Sequence, residues 1–584
     1  AIDNSNSSLV VSSTSGDITL TAGTSITNDA VTANAGSVSM TATNNGITNN
    51  GAVTATGDNS SVILSATNGT NGAISNTGTV SAGKDVTETA GTSIKNAAVT
   101  AGGAVSMDTA TSDNGTTIEN SGAVTAGTTL TEKAKTTLTN SAAVKAATGI
   151  TMNAGTSISN GSTVEATGGS ISMTATDKGI TNTGAVTATG ASSSVSMSAT
   201  NGSAGAISNS EAISAGTSVT MNAGTSISNT AVTANAGSVS MTATNAGITN
   251  TGAIQAIGDN SSVSMTATNT DAGAISNSDI VSAGKDVTET AGTTLTNTGA
   301  VTATAGAIEQ KAGGKLWNEK AVSAGTTVKM TSTGAEIQND TTVTAGTTLT
   351  QDAHTTLTNT GAVQATGIDQ DAVTSITNNS TIKATTGAIT QDSSGAIHNV
   401  GTVDAGTTIG MTSTSAGIQN DANVTAASGI TMNAGAAIDN NNGGNVTVSS
   451  STGDITLTAG TNITNDIVTA TTGSISMDTA TKGNGSIENT GAVSAGTNIT
   501  QNAKTTLTND STVTATGAID QDAVGKIWNK NTVQAGTTID MTSTGADIQN
   551  DANVTAGTGI TMNAGTAIDN SNSSLVVSST SGDI

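Results

Sequence analysis

Residues 225–245 have the sequence TSISNTAVTANAGSVSMTATN, and nearly every other segment of the chain is a looser copy of it. Apolar residues alternate with Ser or Thr in three short runs, at 227–229, 232–234 and 239–243. Such alternation is typical of pleated strands with one buried and one solvated face. Asn and Gly lie between the runs, where turns favour residues that tolerate positive φ. A single set of three strands has nothing to bury its apolar face against, so we expect the sets to stack as coils.

The composition favours one long repeat domain over several globular domains. The repeat extends through all 584 residues without a break, and the chain has no Phe, Tyr, Pro, Cys or Arg. A globular core of this size normally depends on aromatic side chains, whereas a thin core of Ile, Val, Ala and Met does not. The sequence therefore predicts an all-β fold in a single continuous repeat domain, residues 1–584. Because the chain begins inside a repeat and without Met, we expect it to be a fragment of a longer repetitive protein.

The charge of the chain argues against several kinds of partner. The net charge is −25, but only 10% of the residues are charged, and the Lys residues are scattered singly. Binding to nucleic acid requires a concentrated basic patch, and a spanning helix requires about 18 consecutive apolar residues. The sequence has neither feature, so we expect no nucleic-acid partner and no membrane insertion.

An Ile-x-Asn or Leu-x-Asn triplet marks each coil. Successive triplets end 19 to 27 residues apart, which predicts about 27 coils of three short strands. All fourteen Met fall at one position of the third strand, as Met40 and Met241 do, and we expect them to fill the core rather than bind metal. The Asn of the triplet has two explanations that the sequence leaves open. Either its side chains form an amide ladder between coils, or it adopts a left-handed corner conformation.

Few residues have the chemistry of an enzyme or of a metal site. His354 is predicted at a corner and His398 on the surface, and without Cys or clustered acids neither is expected to bind metal. The Asp-Gln-Asp segments 369–371 and 520–522 each place two acids on one strand face, but no basic residue accompanies them. We interpret these acids as solvated. The sequence therefore predicts no catalytic residue, no metal and no cofactor.

Two tryptophans are the candidate glycan-binding residues. Each is the central, outward residue of a triplet, where an indole can stack on a sugar while neighbouring ammonium groups bind hydroxyls. Duplication of a block of coils would also produce two equivalent Trp, so both explanations stay open. The candidates are Trp317 with Lys315 and Lys320, and Trp528 with Lys526 and Lys530.

Tandem coils of the form Ile-Thr-Asn, Ala-Val-Thr-Ala, Gly and Val-Ser-Met-Thr-Ala resemble the repeats of filamentous-haemagglutinin-like exoproteins, the large adhesins of two-partner secretion. The resemblance covers the whole chain, but the family's amino-terminal secretion domain and Asn-Pro motifs are absent. It implies a right-handed parallel β-helix, export through an outer-membrane secretion partner, and attachment to host surfaces. The location implied is extracellular or on the bacterial cell surface.

The resemblance also implies Asn-linked sugars, which some members of that family carry. Several Asn-x-Ser/Thr sequons lie in loops that bulge from the longer coils, where a glycan would be tolerated. The candidate glycosylation sites are Asn59, Asn68, Asn114, Asn201, Asn260 and Asn484.

Together these features predict a non-enzymatic secreted bacterial adhesin shaft. It would span distance and present repeated weak contacts to host-cell glycans or glycoproteins, with another bacterial surface structure as a further partner. The alternatives are a self-associating biofilm or surface scaffold and an ice-binding β-helix. Ice binding requires a uniform Thr face, but the outward residue of the second strand is Thr32 in one coil and Lys145 or Glu165 in others.

Overall fold

The computed structural model describes residues 1–6, 9–111, 113–479, 481 and 484–584. The chain divides into two compact units, unit 1 (residues 1–306) and unit 2 (residues 307–584). Within the described residues both units contain strands and no helix, and each is a parallel β-solenoid. With about 27 turns in total, the predicted all-β solenoid of three-stranded coils is confirmed. The single continuous domain stays a prediction.

Each coil has a first, a second and a third strand. In the coil quoted above these are Ile227–Asn229, Val232–Ala234 and Val239–Ala243, as the alternation predicts. Within each unit the strands pair in parallel with their counterparts in the next coil, so that Met241 lies beside Met265. Identical side-chain types therefore stack in columns. Ile, Val and Ala point inward, while Ser and Thr point to the solvent.

In unit 1 the first and second strands are continuous in two coils, Ile74–Ala82 and Ile94–Ala101. The other first strands are Ile2–Asn4, Ile26–Asn28, Ile47–Asn49, Thr117–Asn120, Thr137–Asn140, Ser157–Asn160, Ile180–Asn182, Ile207–Asn209, Ile227–Asn229, Ile248–Asn250, Ile275–Asn277 and Leu295–Asn297. The other second strands are Val10–Ser13, Ala30–Ala33, Val53–Ala55, Val124–Ala126, Val144–Ala146, Val164–Ala166, Val186–Ala188, Ile213–Ala215, Val232–Ala234, Ile254–Ala256, Val281–Ala283 and Val301–Ala303. The third strands are Ile18–Ala22, Val38–Ala42, Val62–Ala66, Val86–Ala90, Val105–Asp108, Thr129–Ala134, Gly149–Ala154, Ile171–Ala175, Val195–Ala199, Val219–Ala223, Val239–Ala243, Val263–Ala267 and Val287–Ala291.

Unit 2 repeats the same three strands in every coil. Its first strands are Leu316–Asn318, Ile337–Asn339, Thr356–Asn359, Ser375–Asn378, Ala396–Asn399, Ile418–Asn420, Ile438–Asn440, Ile463–Asn465, Ile487–Asn489, Leu507–Asn509, Ile527–Asn529, Ile548–Asn550 and Ile568–Asp569. Its second strands are Val322–Ala324, Val343–Ala345, Val363–Ala365, Ile382–Ala384, Val403–Ala405, Val424–Ala426, Thr447–Ser450, Ile467–Ala470, Val493–Ala495, Val513–Ala515, Val533–Ala535, Val554–Ala556 and Val577–Ser579. Its third strands are Ile308–Ala312, Val328–Ser332, Thr348–Ala353, Gly367–Ala372, Ile389–Ser393, Thr408–Ser413, Gly429–Ala434, Ile455–Ala459, Ile475–Asp478, Ile499–Ala503, Ile519–Ala523, Thr538–Ser543 and Gly559–Ala564.

The triplet Asn residues are buried and form an amide ladder inside each unit. Asn28 Nδ2 donates to Asn49 Oδ1 at 3.1 Å, and Asn49 Nδ2 donates to Asn76 Oδ1 at 2.7 Å. This confirms the ladder explanation, because each amide satisfies a buried neighbour that has no access to water. The left-handed corner explanation is wrong: no residue other than Gly has a positive φ in the described part of the chain.

The corner glycines serve close packing rather than backbone handedness. Positive φ is confined, among described residues, to Gly429, Gly443 and Gly444. A Cβ added to Gly36 would lie 2.3 Å from the carbonyl carbon of Gly16 in the preceding coil. Corners of successive coils therefore stack more closely than a side chain permits, and the expected positive φ at most corner Asn and Gly is wrong.

The Asn ladder differs between the two units. In unit 2 each Nδ2 donates to the next Oδ1 without a gap from Asn318 to Asn570. In unit 1 the ladder stops at Asn209, whose amide donates to the backbone carbonyl of Glu211 and whose Oδ1 is buried without a partner. It resumes when Asn229 donates to Asn250.

Candidate functional site

Trp317 is held at the surface of unit 2 by the coil that follows it. Its indole Nε1 donates to Asp340 Oδ2 at 2.8 Å, and Gln338 Nε2 donates to the other oxygen of the same carboxylate at 2.8 Å. The Nζ atom of Lys315 lies 5.0 Å from the indole centroid, a cation–π distance, and 3.2 Å from a carboxylate oxygen of Glu336. The indole is half-buried and fixed in orientation. Lys320, the other predicted neighbour, is exposed at the next corner.

Trp528 has the same arrangement with one additional cation. Its Nε1 donates to Asp551 Oδ2 at 2.8 Å, and Lys526 Nζ lies 4.8 Å from the ring centroid. Lys530 Nζ lies closer, at 4.3 Å, and also pairs with Asp510 at 2.7 Å. The structure therefore brings both predicted lysines to Trp528, whereas at Trp317 it brings Lys315 alone among the predicted pair.

His398 occupies the same outward triplet position as the two tryptophans, but the sequence reasoning missed its contact with a carboxylate of the next coil. Its Nε2 lies 2.8 Å from Asp421 Oδ2, and Gln419 Nε2 donates to Asp421 Oδ1 at 2.8 Å. Partial burial acts to raise the pKa of Asp421, but the hydrogen bonds from His398 and Gln419 outweigh it and hold this pKa below its usual value. The sequence contains a motif that could have shown this contact. The segment Ile-Gln-Asn-Asp, whose Asp is the partner, occurs one coil after each of Trp317, His398 and Trp528, at 337–340, 418–421 and 548–551.

The predicted glycosylation sites lie at the surface in two different settings. Four are exposed: Asn59, Asn114, Asn260 and Asn484. The other two are half-buried, and their side-chain oxygens cap a turn. Asn68 Oδ1 accepts from the backbone N–H groups of Thr70 and Asn71, and Asn201 Oδ1 accepts from those of Ser203 and Ala204. Their occupancy by sugar stays a prediction.

The central position of the third strand holds buried polar residues as well as Met and Leu. In unit 1 these are Glu88, Glu132 and Glu289, and each carboxylate accepts from the Nδ2 atoms of two successive ladder Asn at 2.7–2.9 Å. In unit 2 the polar residues at this position are glutamines. They are Gln310, Gln351, Gln370, Gln391, Gln501 and Gln521. Sequence reasoning identified the Met column but overlooked these replacements.

Burial changes the protonation of these carboxyls. It raises the pKa of Glu88 to about 7, although hydrogen bonds from Asn96 and Asn76 act in the opposite direction. The pKa of Glu132 is likewise raised by burial to about 7, against hydrogen bonds from Asn140 and Asn120. Removal from water disfavours the charged form, and the amide donors recover only part of that cost.

The Asp side chains of the two Asp-Gln-Asp segments lie on the outside of the third strand in unit 2, while the Gln between them is buried. Asp352, Asp371 and Asp392 occupy one column on three successive coils, and Asp369 lies on the same strand as Asp371. Burial, followed by repulsion from the Asp369, Asp392 and Asp352 carboxylates, raises the pKa of Asp371 to about 6. At the second segment, burial and neighbouring carboxylates raise the pKa of Asp520. These acids are therefore partly exposed and mutually repelling.

No group of acidic or His residues in the described part of the chain has the arrangement of a metal site. Over the same residues, no helix has the length and hydrophobicity needed to cross a lipid bilayer. Comparison with known protein families, with curated proteins and with solved structures found no match to this chain.

Proposed function

We propose that the chain belongs to a secreted, filamentous-haemagglutinin-like bacterial adhesin and binds host glycans or glycoproteins weakly at several points, without catalysis. Export by an outer-membrane secretion partner and an extracellular or cell-surface location are part of this proposal. The β-solenoid of tandem repeats is compatible with that family. A further bacterial surface structure remains a proposed partner.

The observation that carries the proposal is the pair of equivalent Trp sites in unit 2. Both indoles are fixed by a carboxylate of the next coil, and both lie beside lysine ammonium groups. A fixed, half-exposed indole loses little entropy when a sugar stacks on it. Ten coils separate the two Trp along one column, which places them about 48 Å apart at about 4.8 Å per strand. Two weak sites at a fixed separation increase avidity for a ligand that presents sugars repeatedly.

A glycan array compared between wild type and the double variant Trp317→Ala with Trp528→Ala tests this proposal. We expect the double variant to lose binding to the glycans that wild type retains. The matched control is Thr358→Ala with Thr464→Ala, which truncates two outward residues of the same column and should leave binding unchanged. Equal binding by wild type and the Trp double variant would refute the Trp sites. Absence of binding by wild type would refute the glycan function itself.

Ice binding ranks below adhesion because ion pairs interrupt the second-strand face. Lys145 pairs with Glu165 at 3.2 Å, and Lys383 pairs with Asp404 at 2.9 Å, where a uniform Thr array would be needed. Measurement of thermal hysteresis distinguishes this alternative. Light scattering at increasing protein concentration distinguishes the self-associating scaffold.

A further inference from the structure

The interior carboxyls of unit 1 have a neutral counterpart in unit 2. Glu88 lies on the third strand Val86–Ala90, with Oε1 accepting from Asn76 at 2.8 Å and Oε2 accepting from Asn96 at 2.7 Å. Its side chain is fully buried. Glu132 repeats this arrangement between Asn120 and Asn140 at 2.7 and 2.9 Å. Each of these two carboxylates therefore accepts hydrogen bonds from two amide groups, in place of the water molecules that would bind it at the surface.

In unit 2 the glutamine at this position both donates and accepts. Gln370 Nε2 donates to Asn378 Oδ1 at 3.3 Å, and Asn378 Nδ2 donates to Gln370 Oε1 at 3.1 Å. Gln391 forms the same reciprocal pair with Asn399. A protonated Glu can form the same reciprocal pair with an Asn, since its O–H donates and its C=O accepts, although it has one donor where Gln has two. The backbone and the ladder therefore already accommodate the neutral form of the carboxyl.

We propose that Glu88, Glu132 and Glu289 are interior proton-binding sites, so that the coils of unit 1 that contain them open less readily when these carboxyls are protonated. Acid then stabilises these coils and alkali destabilises them, whereas the Gln side chains at this position in unit 2 take up no proton. The protonated Glu adopts the pairing of Gln, and the ionised Glu is a buried charge held by two amides.

Among the described residues, no charged side chain lies in the interior beside Glu88 or Glu132. Leu64 and Met107 flank Glu88 on the neighbouring strands, and Met107 and Met152 flank Glu132. The charged residues on the strands packed against them project to the solvent. These residues are Lys95, Asp108, Glu119, Lys133 and Lys145. Burial, followed by the opposing Asn hydrogen bonds, leaves the pKa values of Glu88 and Glu132 at about 7, in agreement with this geometry.

The direction of the effect follows from proton linkage. The pKa is higher in the folded coil than in the opened coil, so the folded coil binds more protons between the two values. Stability is greatest below the ordinary Glu pKa, falls as the pH rises through about 7, and is constant above that. For one such carboxyl, the equilibrium constant for opening should rise roughly 50- to 100-fold between pH 5 and pH 8.

Hydrogen–deuterium exchange of the full chain at pH 5 and pH 8, corrected for the intrinsic exchange rate, measures this opening coil by coil. In wild type, peptides from residues 86–108 and 129–154 should lose protection at pH 8, whereas peptides from residues 429–465, where Met432 and Leu457 fill the interior column, should not. The variant Glu88→Gln, Glu132→Gln and Glu289→Gln should show no difference between the two pH values at any of these peptides. Equal pH dependence in wild type and this variant would overturn the proposal.

A second variant and a direct readout keep the test decisive if the Gln variant fails to fold. Glu88→Met with Glu132→Met and Glu289→Met introduces the commonest residue of this column and should also abolish the pH dependence. Infrared difference spectra report the carboxyl itself. The spectrum of wild type minus that of either variant, in which the surface Asp residues cancel, should contain a protonated-carboxyl band at pH 5 that disappears around pH 7. Absence of this band at pH 5 would refute the proposal.

Discussion

Unit 1 and unit 2 fill the same interior column differently. At the central position of the third strand, unit 1 has eight Met, two Leu and three Glu, whereas unit 2 has six Met, one Leu and six Gln. The strands pair in the same parallel register around both. The comparison shows that the fold requires a side chain of about this length at the column, and that the fold does not fix the polarity or charge of that side chain.

The ladder itself gives a second contrast. Unit 2 has an unbroken series of Asn amides, and its glutamines also bond to each other, as Gln391 Nε2 does to Gln370 Oε1 at 2.8 Å. Unit 1 has the interruption at Asn209 and a buried Oδ1 on Asn229 without a partner. The structure does not explain why the Asn209 amide points to the Glu211 carbonyl rather than along the ladder. Four predictions test how far these differences matter, beginning with the largest expected effect.

Removal of a ladder amide should lower the free energy of local opening more in unit 2 than beside the interruption of the ladder in unit 1. Asn378→Ala removes the Oδ1 that accepts from Asn359 and Gln370 and the Nδ2 that donates to Gln370 and Asn399, and we expect the free energy of local opening to fall by about 4 kcal/mol. Asn229→Ala removes only long contacts to Met241 and Asn250, and should cost about 1–2 kcal/mol. Hydrogen exchange of the corresponding peptides measures both, and equal losses would contradict the contrast.

Introduction of a carboxyl into unit 2 should transfer the pH response of unit 1. In Gln370→Glu the donor to Gln351 is lost and an ionisable group is buried, so we expect a loss of about 3 kcal/mol at pH 8 and about 1 kcal/mol at pH 5. Local opening at the two pH values is measured by hydrogen exchange. Gln370→Met is the control and should lose the same stability at both. If Gln370→Glu loses the same stability at both pH values, water must reach this position in unit 2.

Replacement of a column Met should be mild, because Leu already occurs at the same position. Met241→Leu keeps the volume and loses the contact from Asn229 Nδ2 to sulfur at 3.5 Å, so we expect a loss of about 1 kcal/mol. Urea denaturation followed by circular dichroism measures the change in unfolding midpoint. A shift as large as that of Asn378→Ala would indicate that sulfur contributes more than packing.

The smallest effect should be a gain. Gly410 lies within the third strand Thr408–Ser413, and a Cβ added there would meet no atom within 4 Å. Gly410→Ala should therefore stabilise the coil by about 0.5 kcal/mol through lower unfolded-state entropy. Gly36→Ala is the contrasting variant, since its Cβ would overlap the preceding corner. Thermal unfolding of both variants gives the comparison, and similar shifts would contradict the packing role of the corners.

Much of the fold could be predicted from the sequence because period-two alternation fixes which residues face inward. The strands around Met241, the number of coils and the inward Met followed from that alternation. All Met except Met562, which is half-buried in the last third strand, are fully buried. The ladder was one of two explanations for Asn, since local sequence does not show whether an amide meets a neighbour or a corner.

The candidate site was predicted less completely, for physical reasons. The outward position of Trp317 follows from the triplet, but its partner Asp340 lies 23 residues away, and only in-register stacking brings them together. The contact between His398 and Asp421 was missed for the same reason, because these residues also lie 23 positions apart. Glu88 was overlooked because a charged residue in a period-two pattern reads as outward, although its position in the register of the Met column is inward.

Every link of the Asn ladder has the same sense, with the amide nitrogen of one coil donating to the amide oxygen of the next. One reversed amide would place nitrogen against nitrogen on one side and oxygen against oxygen on the other, so no Asn in a run can flip alone. The orientation of each amide is therefore fixed by the amides of the two neighbouring coils. Because all amides in a run point the same way, their dipoles add, as those of aligned peptide groups do. One run ends at Asn182 and the next begins at Asn229, and Asn209 between them belongs to neither, so the amide orientation of the second run does not depend on that of the first.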